Sequence, residues 1–232
     1  MTRRNAKSAD DPEVASRPSV VPGVERNVFI LGIVSFFTDI SSEAVYPLVP
    51  MFLTTSLNAP LAVVGAIEGL AESTASVLRW PSGWLSDRLG RRKPFVVLGY
   101  GLAALAKPLL ALAFHWPVVL FARIVDRFGK GLRTAPRDAL VAQWTERRKR
   151  GRAFGFHRAV DTAGAVLGPL GALALLAVLG ENFRLIFVLA FIPAALGMVL
   201  LRLVAERNRV RVHNLYRPWV PGKSQSRDYG PV

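Results

Sequence analysis

The stretch Leu61–Gly101, LAVVGAIEGLAESTASVLRWPSGWLSDRLGRRKPFVVLGYG, decides how the rest of the chain is read. It opens with an apolar block from Leu61 to Trp84, broken only by scattered charges. A short polar joint follows, holding Asp87, Arg88, Arg91, Arg92 and Lys93, and a second apolar block starts at Phe95. Neither block shows the narrow apolar stripe of a soluble amphipathic helix. Each is instead about 20 residues long, the length that crosses a hydrocarbon core of ~30 Å.

The same pattern repeats outward in both directions. The spacing predicts six spans, Val28–Leu53, Leu61–Trp84, Phe95–Phe114, Pro117–Leu132, Ala153–Leu179 and Phe183–Leu203. The fourth is the least apolar, because Arg123, Asp126, Arg127 and Lys130 interrupt it. It is kept as a span because of the joints. The joint TTSLNAP and the one around His115 and Trp116 hold no Lys or Arg, and the fifth holds only Arg184. Between them fall the basic joints at Arg88–Lys93 and Arg147–Arg152, with Arg202, Arg207, Arg209 and Arg211 after the last span. Basic joints stay in the cytoplasm, so the alternation puts both termini inside. Trp80, Trp84 and Trp116 fall near the expected interfaces, as aromatic belts do. Residues 1–27 and 206–232 are polar, and are expected to be a disordered N-terminal segment and a basic tail, both cytoplasmic.

Composition fits this reading. The net charge of +14 at pH 7 suggests nucleic acid, but its placement at alternate joints is that of a membrane protein, so no nucleic-acid partner is expected. A cleaved leader is a poor description of the first span, which is too long and carries Asp39 and Glu43. The chain has no cysteine, three histidines and no H-E-x-x-H spacing, so no enzyme activity, metal or cofactor is expected.

Ionisable groups at membrane depth are costly and therefore candidates for function. Asp39 and Glu43 lie four residues apart on one face, as do Glu68 and Glu72. Arg123, Arg127, Lys130, Thr134 and Arg137 share a face of the fourth span, where Asp126 is spaced to pair with Lys130. Lys107 stands alone in the third span. Glu68 reads as structural, and His157, with Arg158 and Asp161 in one turn of the fifth, as a hydrogen-bonding group at the cytoplasmic end. Any other one of these carboxylates or arginines is equally a structural ion pair or a transport residue. Gly164 and Gly168, continued by Ala172, form a small-residue seam beside Pro169.

Gly83–Pro94, G-W-L-S-D-R-L-G-R-R-K-P, resembles the signature G-x-L-x-D-x-x-G-R-[RK] between helices two and three of the major facilitator superfamily. Gly155, Gly164, Gly168 and Pro169 are similar to that family's fifth-helix G-x8-G-x3-G-P pattern, although Ala172 and Leu173 stand where a glycine pair would follow. Arg123 and Gly129 resemble its fourth-helix R-x5-G element, which the family ties to proton coupling. FTDISSEAVYPLVPMFL and GKGLRTAPRDAL resemble a bacterial subgroup of the family.

The resemblance implies an all-α integral membrane protein of six transmembrane helices, one half of a major-facilitator-type bundle, in a bacterial inner membrane. It implies a secondary transporter, proton-coupled or uniporting, that moves a small solute by alternating access. Proton or substrate pathway residues would be Asp39, Glu43, Arg123, Asp126, Arg127, Lys130 and Asp161. Gly83, Asp87, Arg88, Gly90, Arg91 and Arg92 would form a gating loop that docks on the other half, and Gly155, Gly164, Gly168 and Pro169 a sliding seam. Partners would be the bilayer, the solute, protons, and a second half or second copy. Truncation is the expected reason for the single half, against assembly with another copy or a separately encoded half; the alternative to a transporter is a truncated, non-transporting membrane fragment. On its own such a half is expected to carry out no regulated transport and to dimerise, recruit a partner half or be unstable, its charges unshielded on the face that meets its partner. Reporter fusions at Thr55, His115 and Glu181 are expected outside the cell and those at Arg92, Arg148 and Arg209 inside; a cytoplasmic reporter at His115 overturns the topology.

Overall fold

A computed structural model describes residues 24–204, and every regular element within them is helical. The expected polar termini therefore lie outside the described residues, apart from 24–27, where Arg26 already opens the first helix. That helix, α1 (Arg26–Val45), breaks at Tyr46 and Pro47, resumes as α2 (Leu48–Met51), and ends in a π turn over Phe52–Ser56. Pro47 and Pro50 have no N–H to give, which interrupts the regular ladder at this point.

Five further long helices follow: α3 (Leu61–Leu89), α4 (Lys93–Ala111), α5 (Trp116–Trp144), α6 (Arg150–Leu179) and α7 (Phe183–Leu201). Their ends are legible chemically. Gly90 closes α3 at φ 61°, a left-handed conformation that a side chain would strain. Pro94 and Pro117 stand in the first turns of α4 and α5, where a missing N–H costs nothing. Asn182 caps α7 by accepting from Leu185 N at 3.3 Å.

Five helical segments are long and apolar enough to cross a membrane: Arg26–Ser56, Leu61–Leu89, Lys93–Ala111, Arg147–Leu179 and Phe183–Leu201. The fourth expected span differs. It is a helix, but it runs on from Leu132 to Trp144, and its charges keep it out of that apolar set.

The bundle has two groups of three. α1 packs along α6 and α7, α5 packs along α3 and α4, and α4 against α7 joins the groups. Backbones approach closely where side chains are absent. A Cβ on Gly129 of α5 would lie 2.5 Å from Gly99 O of α4, and one on Gly99 would lie 2.6 Å from Gly129 O. Gly164 and Gly168 of α6 meet Phe36 O and Ile40 O of α1 in the same way, at 2.7 and 2.8 Å. A Cβ on Gly155 would meet nothing within 4 Å.

Apolar side chains form two separate cores. One, with Phe52, Leu53, Ile67, Leu110, Val119 and Phe187, reaches Ala122 on α5; the other, with Leu31, Val96, Tyr100, Val141 and Trp144, begins at Leu140. The polar face of α5 lies between them. Gly129→Val is expected to destabilise the bundle by about 1–3 kcal/mol through overpacking, whereas Gly155→Ala should leave it unchanged. Thermal melts of the two variants in one detergent check this.

Candidate functional site

α5 carries Arg123, Arg127, Lys130, Arg133 and Arg137 at steps of three and four residues, so the five cations share one face over about 21 Å at 1.5 Å per residue. Each faces an acid from another helix. Arg123 holds Glu68 of α3 in a two-pronged pair, Nε to Oε1 at 3.0 Å and Nη2 to Oε2 at 2.5 Å. Arg127 Nε lies 3.4 Å from Glu72 Oε2, also on α3. Lys130 Nζ is 3.8 Å from Glu43 Oε1 and Arg133 Nη2 is 3.5 Å from Asp39 Oδ1, both acids on α1. Arg137 Nη1 is 3.4 Å from Asp161 Oδ2 of α6.

The register follows from helix direction. α3 pairs with α5 in rising order, 68 with 123 and 72 with 127, as parallel helices do. α1 pairs in falling order, 43 with 130 and 39 with 133, as antiparallel helices do.

A second pair lies deeper. Lys107 Nζ is 2.7 Å from Asp126 Oδ1 and also donates to Ser42 Oγ at 2.9 Å and Ala103 O at 2.7 Å. Lys107 is therefore not alone, and Asp126 does not pair with Lys130. The i,i+4 spacing of Asp126 and Lys130 was real, but Asp126 is turned toward α4, where a fully buried ammonium has a stronger claim on it.

Two tyrosines complete the face. The guanidinium carbons of Arg123 and Arg127 each lie 5.3 Å from the Tyr46 ring centroid, and that of Arg133 lies 4.4 Å from Tyr100. The Tyr100 hydroxyl lies 3.0 Å from Ser35 Oγ, which accepts from Arg137 Nη1 at 2.9 Å. His157 Nδ1 approaches Asp161 Oδ2 at 3.4 Å. Sequence reasoning passed over Arg133, although it lies three residues from Lys130 and four from Arg137; Tyr46 and Tyr100 left no spacing signal.

These pairs correct the expectation of unshielded charge. Arg123 and Arg127 are 1% and 3% exposed, and Asp39, Glu43 and Asp161 each have a cation within the same bundle. Glu72, by contrast, is 61% exposed despite its pair with Arg127.

In the Gly83–Pro94 stretch, Asp87 accepts from Arg92 Nη2 at 2.8 Å and Nε at 3.2 Å across the Gly90 turn. Arg92 Nη1 also reaches α5, donating to Ala139 O at 3.2 Å and Gln143 Oε1 at 3.3 Å. Arg88 lies over Trp84 at 5.1 Å, and a Cβ on Gly83 would meet Ala135 at 3.1 Å. Arg91 is exposed. The loop thus ties the ends of α3 and α4 to the end of α5.

A bundle of long apolar helices with a paired charge ladder inside defines a class, that of polytopic helical membrane proteins. Residues 31–227 match the profile of the Major Facilitator Superfamily, and the chain belongs to that family, whose members are transporters. An uncharacterised MFS-type transporter of Methanocaldococcus jannaschii is 37% identical over 184 residues, 79% of this chain and 46% of that protein. The multidrug resistance protein MdtH of Photorhabdus laumondii is 36% identical over 126 residues, 54% of this chain and 31% of its own. Among solved structures, a POT family transporter in complex with 5-aminolevulinic acid superposes with TM-score 0.71 at 19% identity, over 77% of this chain and 38% of that one. The chain spans about half the length of two curated relatives, 46% of the M. jannaschii protein and 46% of an uncharacterised Mycobacterium tuberculosis protein.

Lys107→Met leaves Asp126 as a buried charge without its ammonium, an expected loss of about 3–5 kcal/mol. Adding Asp126→Leu removes the orphan and should recover most of it. Yield and melting temperature of the two variants in detergent check the coupling; equal losses in both would show that the pair is not a unit.

Proposed function

We propose that this chain forms one six-helix half of a secondary active transporter, which moves a small solute by alternating access with proton coupling. The observation that carries the reading is the charge ladder. Five cations on α5 meet acids from α1, α3 and α6, so the three neighbours are held to α5 by pairs that can be exchanged. A charge at membrane depth that only held the fold would be more safely replaced by apolar packing. α5, although less apolar than its neighbours, is read as the sixth span because its charges are matched inside the bundle.

In this reading Asp39, Glu43 or Asp161 takes up and releases the proton, and Arg123, Arg127 and Lys130 hold an anionic group or tune those acids. Asp126 acts with Lys107 to fix α4 on α5. Gly83, Asp87, Arg88, Gly90, Arg91 and Arg92 form the cytoplasmic clamp. Gly164, Gly168 and Pro169 form the seam along which α6 slides on α1, with Gly155 at its open end. Both termini lie in the cytoplasm and the membrane is the bacterial inner membrane, as the basic joints support. The partner is a second half or a second copy of this chain, with the solute bound between them. The likeness to MdtH extends the class of solutes considered to drug-like molecules.

Proteoliposomes holding the assembled transporter and an internal pH dye test the proposal. Transported solute should dissipate an imposed pH gradient. Asp87→Asn should slow this about tenfold, the worth of one charge-assisted hydrogen bond, with insertion unchanged. Flux of the Asp87→Asn protein equal to the parent's would remove the clamp from the mechanism.

A further inference from the structure

The cations of the ladder are not equally engaged. Arg123 holds both oxygens of Glu68 through Nε and Nη2, and its Nη1 lies 3.8 Å from Asp126 Oδ2. Lys107 has three acceptors, and Arg137 donates to Ser35 and Asp138. Arg133 donates to Asp39 at 3.5 Å and stacks on Tyr100, with only its Nη1 buried and unpartnered among the described residues. Lys130 is more than a third exposed, so water can solvate it.

Arg127 is the least engaged of the five ladder cations, with two such nitrogens and no side-chain hydrogen bond among the described residues. Its side chain is 3% exposed, yet Nε and Nη1 are buried without a hydrogen-bond partner among the described residues. Its one acid, Glu72, approaches Nε at 3.4 Å without making a hydrogen bond, and is itself 61% exposed. Tyr46, under the guanidinium, is 45% exposed. A desolvated guanidinium with free N–H groups thus lies beside two side chains open to the outside of this bundle. Buried N–H groups left unmade are costly, so such a group is built to receive an acceptor.

We propose that Arg127 is the anchor for the carboxylate of a small organic acid, and that Glu72 occupies this anchor loosely when no solute is present. The proposal rests on the transport reading above and names its substrate class. The planar fork of a guanidinium matches the two oxygens of a carboxylate, and both then become charge-assisted donors. The incoming carboxylate replaces Glu72, which is already more than half in solvent and loses little by leaving. The organic body of the acid lies against the exposed part of the Tyr46 ring, which Arg123 and Arg127 hold in place.

The test uses the purified full chain in detergent, with benzoate and acetate as probes and benzamide as the neutral match in shape. Benzoate and acetate at millimolar concentration should raise the melting temperature and benzamide should not. Arg127→Gln should abolish the shift. Because that variant can fail to fold, Glu72→Gln provides the second arm. It keeps Arg127, removes an exposed acid, and should tighten benzoate binding by up to about fivefold, the worth of a half-exposed ion pair. No response to either carboxylate, an equal response to benzamide, or weaker binding in Glu72→Gln overturns the proposal. Binding through Arg127 without any gradient-driven flux in the assembled protein would count against the transport reading alone. Gradient-driven flux that Arg127→Gln leaves intact would count against the anchor alone.

Discussion

The constraint on which the structure depends is the pairing of one cationic helix with acids from three others. α5 places a guanidinium or ammonium on the same face at nearly every turn between Arg123 and Arg137. A helix with that face cannot lie against lipid, and it cannot be buried against an apolar neighbour. It becomes admissible in the interior only when Glu68, Glu72, Glu43, Asp39 and Asp161 arrive in register. The packing of α3, α1 and α6 around α5 is thus set by charge as much as by apolar fit.

The rest of the fold can be read as support for that register. Two apolar cores close the bundle beyond each end of the ladder, one near Val119 and Ala122 and one near Leu140 and Val141. They keep the polar layer from being the sole source of cohesion, which ion pairs are ill suited to be because desolvation offsets most of their attraction. The glycine contacts do the complementary work. Gly99 against Gly129 and Gly131 against Ala75 bring backbones close enough for side chains of ordinary length to meet across the helices. On the other side, Gly164 packs against Phe36 and Asp39, so the seam of α6 and the acid of α1 belong to the same contact.

The clamp at Asp87 has a related logic at a different depth. Arg92 joins its own loop to Asp87 and reaches the carbonyl of Ala139 on α5. Lys93, the next residue, donates to Val204 O just past α7 at 2.6 Å. One short basic joint therefore touches the ends of four helices. A change in that loop is transmitted to the end of the helix that bears the ladder, which links the family signature to the interior charges by direct contact rather than by analogy.

Much of this was legible in the residues. Apolar blocks of spanning length, basic joints alternating with neutral ones, the Gly83–Pro94 signature and the i,i+4 cations of α5 are all local patterns, determined by hydropathy and helical period alone. What the sequence could not determine was partnership. Asp126 and Lys130 have the spacing of a helical pair, yet Asp126 belongs to Lys107, nineteen residues away, because tertiary packing turns it toward α4. Arg133 and Arg127 have equal standing in the spacing, but only packing leaves one bonded to Asp39 with a single unfilled nitrogen and the other with two and no hydrogen bond among the described residues. The physical reason is the same in each case. Period fixes which face of a helix a charge lies on, whereas its partner is chosen by which neighbour's face lies opposite, and that depends on the close approach of other helices.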